Sequence, residues 1–255
     1  MKPFILQEVN WATVKNDNYD IAILPWGATE PHNYHLPYGT DTLETSKIAE
    51  EAAGIAWDKG CKVMVLPTVP FGVQNPGQIE LPFCLHMRPS TQLLILQDII
   101  TAIYGQGIRK LIIMNGHGGN DFKSLIRELQ PGYSGMFIGL MEWFKFFNND
   151  VFFEEDGDHA GEMETSIMQY YFPELVLPLD QAGYGKLNRF KIDALNTKIA
   201  WTPRRWDKVS DDTGVGNPKK ATPEKGKKFL EAVTSKIADF LIELRKHNPT
   251  DIYES

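Results

Sequence analysis

The stretch IAILPWGATEPHNYHLPYGTD, residues 21 to 41, joins the start of the fold to a cluster of metal-ligand residue types. Its first five residues are a short apolar run, which predicts a buried strand. A loop rich in glycine and proline follows, and Asp41 opens an amphipathic segment that reaches Asp58 and stops at Gly60. That pattern predicts a helix with a glycine stop signal. A buried strand followed by a loop and a helix is typical of α/β folds.

The same alternation continues along the chain. Three further apolar runs predict strands at 62–67, 110–116 and 135–141. Amphipathic segments predict helices at 90–106, 121–130, 161–171 and 225–246. The segment from Asp180 to Pro223 is polar and rich in Gly, Pro and Trp, and we predict irregular structure with short strands there. The pattern favours a doubly wound or layered α/β fold, and 255 residues fit a single domain, 1–255.

Composition excludes several function classes. A net charge of −7 argues against a general nucleic-acid binder, because phosphate contacts need clustered Lys and Arg. No window holds the roughly 18 uninterrupted apolar residues that span a bilayer, and the start MKPFILQEVNW does not resemble a signal peptide. Two cysteines, Cys61 and Cys84, cannot form a disulfide framework. We therefore expect a cytoplasmic protein with no membrane or nucleic-acid partner.

The loop EPHNYHLPYGTD, residues 30 to 41, is the first candidate site. It contains Glu30, His32, His35 and Asp41. Carboxylate oxygens and imidazole nitrogens suit zinc, manganese or iron(II), and one loop can aim several of them at one point. Two ordinary interpretations stay open. These residues could be solvated, and Asp41 could form a capping box with Glu44, three residues later.

Two more clusters follow later strands. NGHGGN at 115–120 supplies His117 and Asn120, and DHAGEMETS at 158–166 supplies His159 and Glu162. In open α/β sheets the carboxyl ends of the strands form one crevice, so the three clusters can converge there. The glycines could instead make only a tight turn. Glu162 could do no more than stabilise a helix dipole, by roughly 0.3 to 1 kcal/mol.

The motifs GATEPHNYHLPYGTD, NGHGGN and DHAGEMETS, in this order, resemble the creatininase family of metal-dependent amidohydrolases. The common form of the family's first motif is ExHGPHLPxGTD. The resemblance implies a three-layer α/β/α sandwich with a mostly parallel sheet, assembled as a homohexamer, with two divalent metal ions at the carboxyl edge of the sheet. It assigns Glu30, Asp41 and His117 to one metal. His32 and Asp41 would hold the second, so Asp41 bridges.

The resemblance also assigns roles beyond these four residues. Creatininase carries a glutamate ligand in the turn NGHYEN, where this chain has Gly119, and the glutamate of HAGE, Glu162, resembles its replacement. Two divalent ions carry +4, and three carboxylates with one hydroxide balance them, which avoids a costly buried charge. His159 matches the family's catalytic histidine. We assign His35, Asn120 and Trp143 to substrate contact or to support of the ligands, although a tryptophan after a strand, such as Trp143, is more often a packing residue.

Departures from the family motifs bear on the substrate. The usual HGPH is His32-Asn33-Tyr34-His35 here, and Glu155 and Asp156 stand where creatininase has a tryptophan that encloses creatinine. We therefore predict hydrolysis of another small amide, cyclic amide or formamide by a hydroxide activated at a dinuclear metal centre. A metal-dependent phosphoesterase and a catalytically silent metal-binding protein stay open as alternatives.

Overall fold

A computed structural model describes residues 2–254 and places the four predicted strands in one parallel sheet. The sheet order is β2-β1-β3-β4. All three neighbouring pairs are parallel, and the register pairs Ala22 with Leu111 and Trp26 with Asn115. The strands are β1 (Ile21–Trp26), β2 (Val63–Val65), β3 (Lys110–Asn115) and β4 (Phe137–Glu142).

The five long helices occur within a few residues of their predicted positions. They are α2 (Thr40–Asp58), α3 (Pro89–Gly105), α4 (Phe122–Leu129), α5 (Glu162–Tyr171) and α8 (Pro223–Lys246). Shorter elements complete the chain: α1 (Trp11–Val14), α6 (Asp193–Asn196), α7 (Trp206–Val209), and the antiparallel pair β5 (Gly157–His159) and β6 (Val215–Gly216). The segment 180–223 is thus mostly irregular, with two short helices and one short strand. Over residues 2–254, no helix has the length and apolar character required to cross a membrane.

Helices cover both faces of the sheet. Successive residues of a strand point to opposite faces, and β1 shows this directly. Ile21 and Ile23 pack in a core with α2, α5 and α8, whereas Ala22 and Leu24 pack in a second core with α3 and α4. The three-layer α/β/α sandwich with a parallel sheet is therefore confirmed.

The topology creates a crevice at the end of β1. From β1 the chain adds β2 on one side, and it then returns to add β3 on the other. At such a switch point the loops after the two central strands diverge and leave space for a ligand. The loops after β1 and β3 carry residues 30–41 and 117–120, so the fold brings the first two motifs to one edge.

Trp143 lies in the core and not in a pocket. Its side chain is 1% exposed, and its indole N–H donates to the hydroxyl of Thr45 at 3.1 Å. Its ring meets Phe144 and Phe229 edge-on. Of the roles left open for Trp143, these contacts favour packing over substrate contact, because its side chain lies in the core beside Thr45 of α2 and Phe229 of α8.

We expect Trp143→Phe to lower the free energy of unfolding by about 2 kcal/mol, since it leaves the Thr45 hydroxyl without its partner and opens a small cavity. Urea unfolding measures this change. Trp11→Phe is the matched control: Trp11 is 75% exposed, and its substitution should change stability by less than about 0.5 kcal/mol. Equal stability of the two variants would contradict the core assignment.

Candidate metal centre

Four of the predicted ligands form a single buried cluster. Asp41 lies between two imidazoles: its Oδ1 is 2.8 Å from His32 Nε2, and its Oδ2 is 2.9 Å from His117 Nδ1. Glu30 Oε1 is 3.1 Å from the same His117 nitrogen and 3.6 Å from His159 Nδ1. The side chains are almost completely buried. Strands β1 and β3 therefore deliver their loops to a common point, as the sequence predicted.

Backbone carbonyls orient the three imidazoles. Nδ1 of His32 lies 3.0 Å from the carbonyl oxygen of Glu30, Nε2 of His117 lies 2.9 Å from that of Val73, and Nε2 of His159 lies 2.8 Å from that of Pro31. A carbonyl oxygen only accepts, so each of these nitrogens carries the proton. The other nitrogen of each neutral ring then turns its lone pair toward a carboxylate. Metal-binding histidines are usually held by such a second hydrogen bond.

An imidazole lone pair that faces a carboxylate oxygen is stable only when a proton or a metal ion lies between the two. Burial lowers the pKa of His32, but Asp41 and neighbouring carboxylates outweigh it and raise that pKa to about 10. Burial also lowers the pKa of His117, but Glu30 and Asp41 have the larger effect and raise that pKa well above its ordinary value. Asp41 Oδ2 is buried and lies 2.9 Å from Nδ1 of His117, but within residues 2–254 no donor is directed at it with hydrogen-bond geometry. These residues fit divalent cations, which would replace the protons.

Three groupings of side chains have ligand atoms that all lie within 4.8 Å of one another. They are Glu30, Asp41 and His117; His32, Asp41 and Glu164; and Glu30, His32 and His159. The first two share Asp41, which could therefore bridge two ions. The third includes the predicted catalytic histidine.

The prediction for Glu162 is corrected by its contacts. Its carboxylate accepts hydrogen bonds from the backbone N–H groups of Glu154 and Glu155, both at 2.8 Å, and contacts the ammonium of Lys225. Helix α5 begins at Glu162 itself, so residues two apart on it point in nearly opposite directions. Glu162 faces α8, and Glu164 faces the cluster.

Glu164 is the carboxylate that sequence reasoning missed. It accepts a hydrogen bond from the backbone N–H of Ala160, and burial, opposed by His32, raises its pKa to about 7. One signal could have found it. Ile167 and Met168, three and four residues later, are apolar, which places Glu164 on the inward face of α5, and both are buried in the structure.

His159 is held between two rings. Its ring centroid lies 4.2 Å from that of His32 and 5.2 Å from that of Trp206, which meets it edge-on. Burial and the neighbouring His32 lower the pKa of His159, so this imidazole is neutral near pH 7.

His35 and Asn120 lie outside the three groupings. Nε2 of His35 is 2.8 Å from the hydroxyl of Thr165, and its ring is buried. The side-chain oxygen of Asn120 accepts from the backbone N–H of Val73 and from the amide of Gln92 at 2.8 Å. Its amide nitrogen donates to Asn115 at 3.0 Å. These bonds use both ends of the Asn120 amide to hold the loop around His117, so the geometry favours a supporting role over substrate contact.

The capping-box interpretation of Asp41 is wrong. Helix α2 begins at Thr40 after Gly39, with no side chain capping it, and Asp41 lies in the first turn with its oxygens on the two imidazoles. Within residues 2–254, neither carboxylate oxygen of Glu44 has a hydrogen-bond partner. Burial is the main cause that raises the pKa of Glu44.

Two further residues contact the cluster from outside the main helices and strands, one in a loop and one at the start of the short helix α7. The side-chain amide of Gln78 donates to Glu30, and Trp206 packs against His159. The segments around them have no helical or strand period in the sequence, and no local signal could have linked them to residues more than 40 positions away.

A sequence family described as creatininase, creatinine amidohydrolase, matches residues 7–241. The chain belongs to the creatininase family. The creatinine amidohydrolase of Pseudomonas putida is 24% identical over 88% of this chain and 89% of its own. The 3-dehydro-scyllo-inosose hydrolase of Thermotoga maritima is 26% identical over 90% and 79%. These family relatives are hydrolases.

Solved structures agree with this membership. A Bacteroides fragilis protein, provisionally named a creatinine amidohydrolase, superposes with a TM-score of 0.94 at 49% identity over 100% of both chains. A creatininase variant in a zinc–zinc form shares the fold with a TM-score of 0.77 at 24% identity, over 95% of this chain and 98% of its own.

We expect Glu164→Gln to reduce the metal content of the purified protein by about one ion per chain, because the second grouping loses a charged ligand. Glu162→Gln is the matched control, because Glu162 points to the opposite side of α5. This variant should retain the wild-type metal content. Elemental analysis by inductively coupled plasma mass spectrometry measures both. Loss of metal from the Glu162 variant alone would reverse the assignment.

His35 should make stability depend on pH. Burial, followed by the neighbouring His32, lowers the pKa of His35 to about 4. Between pH 4 and its ordinary value of 6.5, the unfolded chain binds a proton at this site and the folded chain does not. Stability therefore falls as pH drops through that window.

His35→Gln should flatten this dependence. The test compares urea unfolding of wild type and variant at pH 7.5 and pH 5, with both proteins in the same metal state. We expect the loss of stability on acidification to be smaller in the variant, and an equal loss in both would contradict the buried neutral state of His35.

Proposed function

We propose that this protein hydrolyses a small amide, cyclic amide or formamide with the help of two divalent metal ions, and that its substrate is not creatinine. The observation that carries the proposal is the sharing of Asp41 by two ligand groupings. Glu30 and His117 complete one, and His32 and Glu164 complete the other. Two adjacent groupings with one common carboxylate suit an ion pair.

Zinc, manganese and iron are the metals we propose. Structures of creatininase with a zinc pair and with manganese support the first two. When bound, a metal pair lowers the pKa of a water to near 7 and polarises a carbonyl group. Glu30, Asp41 and Glu164 supply three negative charges, the same number as the predicted set with Glu162. The balance with two divalent ions is therefore kept.

His159 is the proposed proton carrier. The carbonyl of Pro31 fixes its Nε2–H, so the lone pair of Nδ1 is free to take a proton on the side of Glu30. Its lowered pKa keeps it unprotonated before the reaction. It can then hand the proton to the nitrogen that leaves when the amide bond breaks, which converts a poor leaving group into a neutral amine.

Glu30 is held by the protein on its other oxygen. The amide of Gln78 donates to Oε2, whereas Oε1 faces His117 and His159. This division leaves one oxygen for a metal and fixes the orientation of the carboxylate. Such hydrogen bonds to a ligand typically contribute 10- to 100-fold to metal affinity or activity.

The segment before His159 argues against creatinine. Glu155 replaces the aromatic residue expected from creatininase and pairs with Lys220 at 3.0 Å. A polar, ion-paired segment cannot enclose a flat ring as an indole does. We therefore expect a substrate with a different shape or polarity.

A hydrolysis screen of metal-loaded protein tests the proposal. We expect release of amine from formamides or ring opening of lactams, loss of this activity with a chelator, and its recovery with zinc or manganese. Creatinine and phosphate monoesters belong in the same screen. Turnover of a phosphate ester alone would favour a phosphoesterase, and no turnover of any class by fully loaded protein would favour a silent metal-binding protein.

His159→Asn should lower kcat by about 10²- to 10⁴-fold on any substrate found, because it removes the proton carrier. The metal content of the same variant should stay at the wild-type value. A parallel loss of metal would instead identify His159 as a ligand in the third grouping.

A further inference from the structure

Trp206, the first residue of α7, is fixed by three contacts outside the metal cluster. Its side chain is buried. Its backbone N–H donates to the carbonyl oxygen of Pro76 at 2.7 Å, and its indole N–H donates to that of Thr213 at 3.2 Å. The guanidinium carbon of Arg204 lies over the indole ring, 4.8 Å from its centroid. Together these contacts give the ring one defined position.

Arg204 is itself bound to the strand that carries His159. Its Nη1 donates to both carboxylate oxygens of Asp158, at 3.1 and 3.0 Å, and Asp158 directly precedes His159 on β5. Arg205 is extended, with φ −85° and ψ 100°, so Arg204 and Trp206 leave the backbone on the same side. The segment 204–206 is therefore attached to β5 next to the proposed proton carrier.

Trp206 restrains the imidazole of His159 in a way that its hydrogen bond does not. The two ring planes stand at 89° with their centroids 5.2 Å apart, which is the edge-to-face arrangement that aromatic pairs favour. The carbonyl of Pro31 holds Nε2, but a bond at one nitrogen fixes a point of the ring and not its plane. His32 at 4.2 Å and Trp206 together fix the plane. Nδ1 then stays directed at Glu30, 3.6 Å away.

Trp206 is also connected to Glu30, the neighbour of this imidazole. The carbonyl that accepts from its backbone belongs to Pro76. Two residues later, the amide of Gln78 donates to Glu30 Oε2. The segments are in close contact, because a Cβ at Gly77 would lie only 3.0 Å from the backbone nitrogen of Trp206. Trp206 therefore supports the carboxylate through its backbone and the imidazole through its ring.

We propose that Trp206 is a positioning residue, which keeps Nδ1 of His159 directed at Glu30. It acts through the imidazole and not on the reacting atoms. The inference rests on the proposed role of His159 as proton carrier, and it adds the group that keeps this ring in a single orientation.

The tautomer of His159 tests the proposal without a substrate. Long-range ¹H–¹⁵N NMR spectra of zinc-loaded protein at pH 8 show which ring nitrogen carries the proton, and the signals that His159→Asn removes belong to His159. In the wild type we expect one tautomer, with the proton on Nε2. In Trp206→Leu the plane of the ring is free, and we expect a second tautomer with a population on the order of 10%.

Trp206→Phe is the matched variant. Both substitutions remove the indole N–H and its bond to Thr213, but phenylalanine keeps an aromatic ring against His159. We therefore expect the single tautomer in Trp206→Phe, although urea unfolding should show that both variants are less stable than the wild type. Trp201→Leu replaces an exposed tryptophan of the same region and should also keep the single tautomer. Trp206→Met, with a flexible apolar side chain, replaces Trp206→Leu if the latter does not fold.

Turnover is measured separately on the metal-loaded proteins. On any substrate that the hydrolysis screen finds, Trp206→Leu should lower kcat about tenfold and change KM less than about twofold, because the binding groups stay in place while the proton carrier is misdirected. Trp206→Phe should recover most of this kcat.

The outcomes separate the two proposals. A single Nε2–H tautomer in Trp206→Leu, or the same second tautomer in the Leu and Phe variants, overturns the positioning role whether or not any substrate is hydrolysed. The expected tautomers with no amide hydrolysis by the wild-type holoenzyme support the positioning role and count against amide hydrolysis alone.

Discussion

The carboxylate of Asp41, buried between two imidazoles, is the constraint on which the site depends. A charge in this position is stable only when cations or protons lie on both of its sides. The fold delivers it there by direct contact between the start of α2 and the end of β1. A Cβ at Gly27 would lie 2.6 Å from the backbone nitrogen of Thr42, so only glycine lets the helix start this close to the strand. Asp41 also benefits from the positive end of the helix dipole.

Much of this arrangement could be predicted from the sequence, because its signals are local. Apolar runs identified the strands, and the topology of parallel strands required their carboxyl ends to share an edge. Residue type singled out Glu30, His32, His35, Asp41 and His117 as candidates, and the family resemblance selected all of them except His35 as ligands. Glu164 was missed, because the choice between two glutamates on α5 depends on the rotation of the helix by about 100° per residue, for which the apolar Ile167 and Met168 were the one available signal. The residue at which α5 begins, not its composition, decides which carboxylate faces the cluster.

Alternatives that the sequence left open were decided where a contact joins distant parts of the chain. Trp143 follows a strand, as a pocket residue would. Its side chain is buried because α2 and α8 cover it, through Thr45 and Phe229. Asn120 has a residue type that often contacts substrate. Here its side-chain oxygen accepts hydrogen bonds from the backbone N–H of Val73 and the side-chain amide of Gln92. Packing of this kind is set by tertiary structure and leaves no periodic signal in one sequence.

The backbone of this chain excludes a glutamate from position 119, in the turn after β3, where the resemblance to creatininase would place a ligand. A Cβ at Gly119 would lie 2.2 Å from the carbonyl oxygen of Val73 and 2.5 Å from His117 Nε2. That same carbonyl holds the His117 ring in its orientation. A glutamate at position 119 would therefore displace the group that aims a neighbouring ligand. Glu164, in the grouping with His32 and Asp41, offers a third carboxylate from α5 and leaves the contact between the Val73 carbonyl and His117 in place.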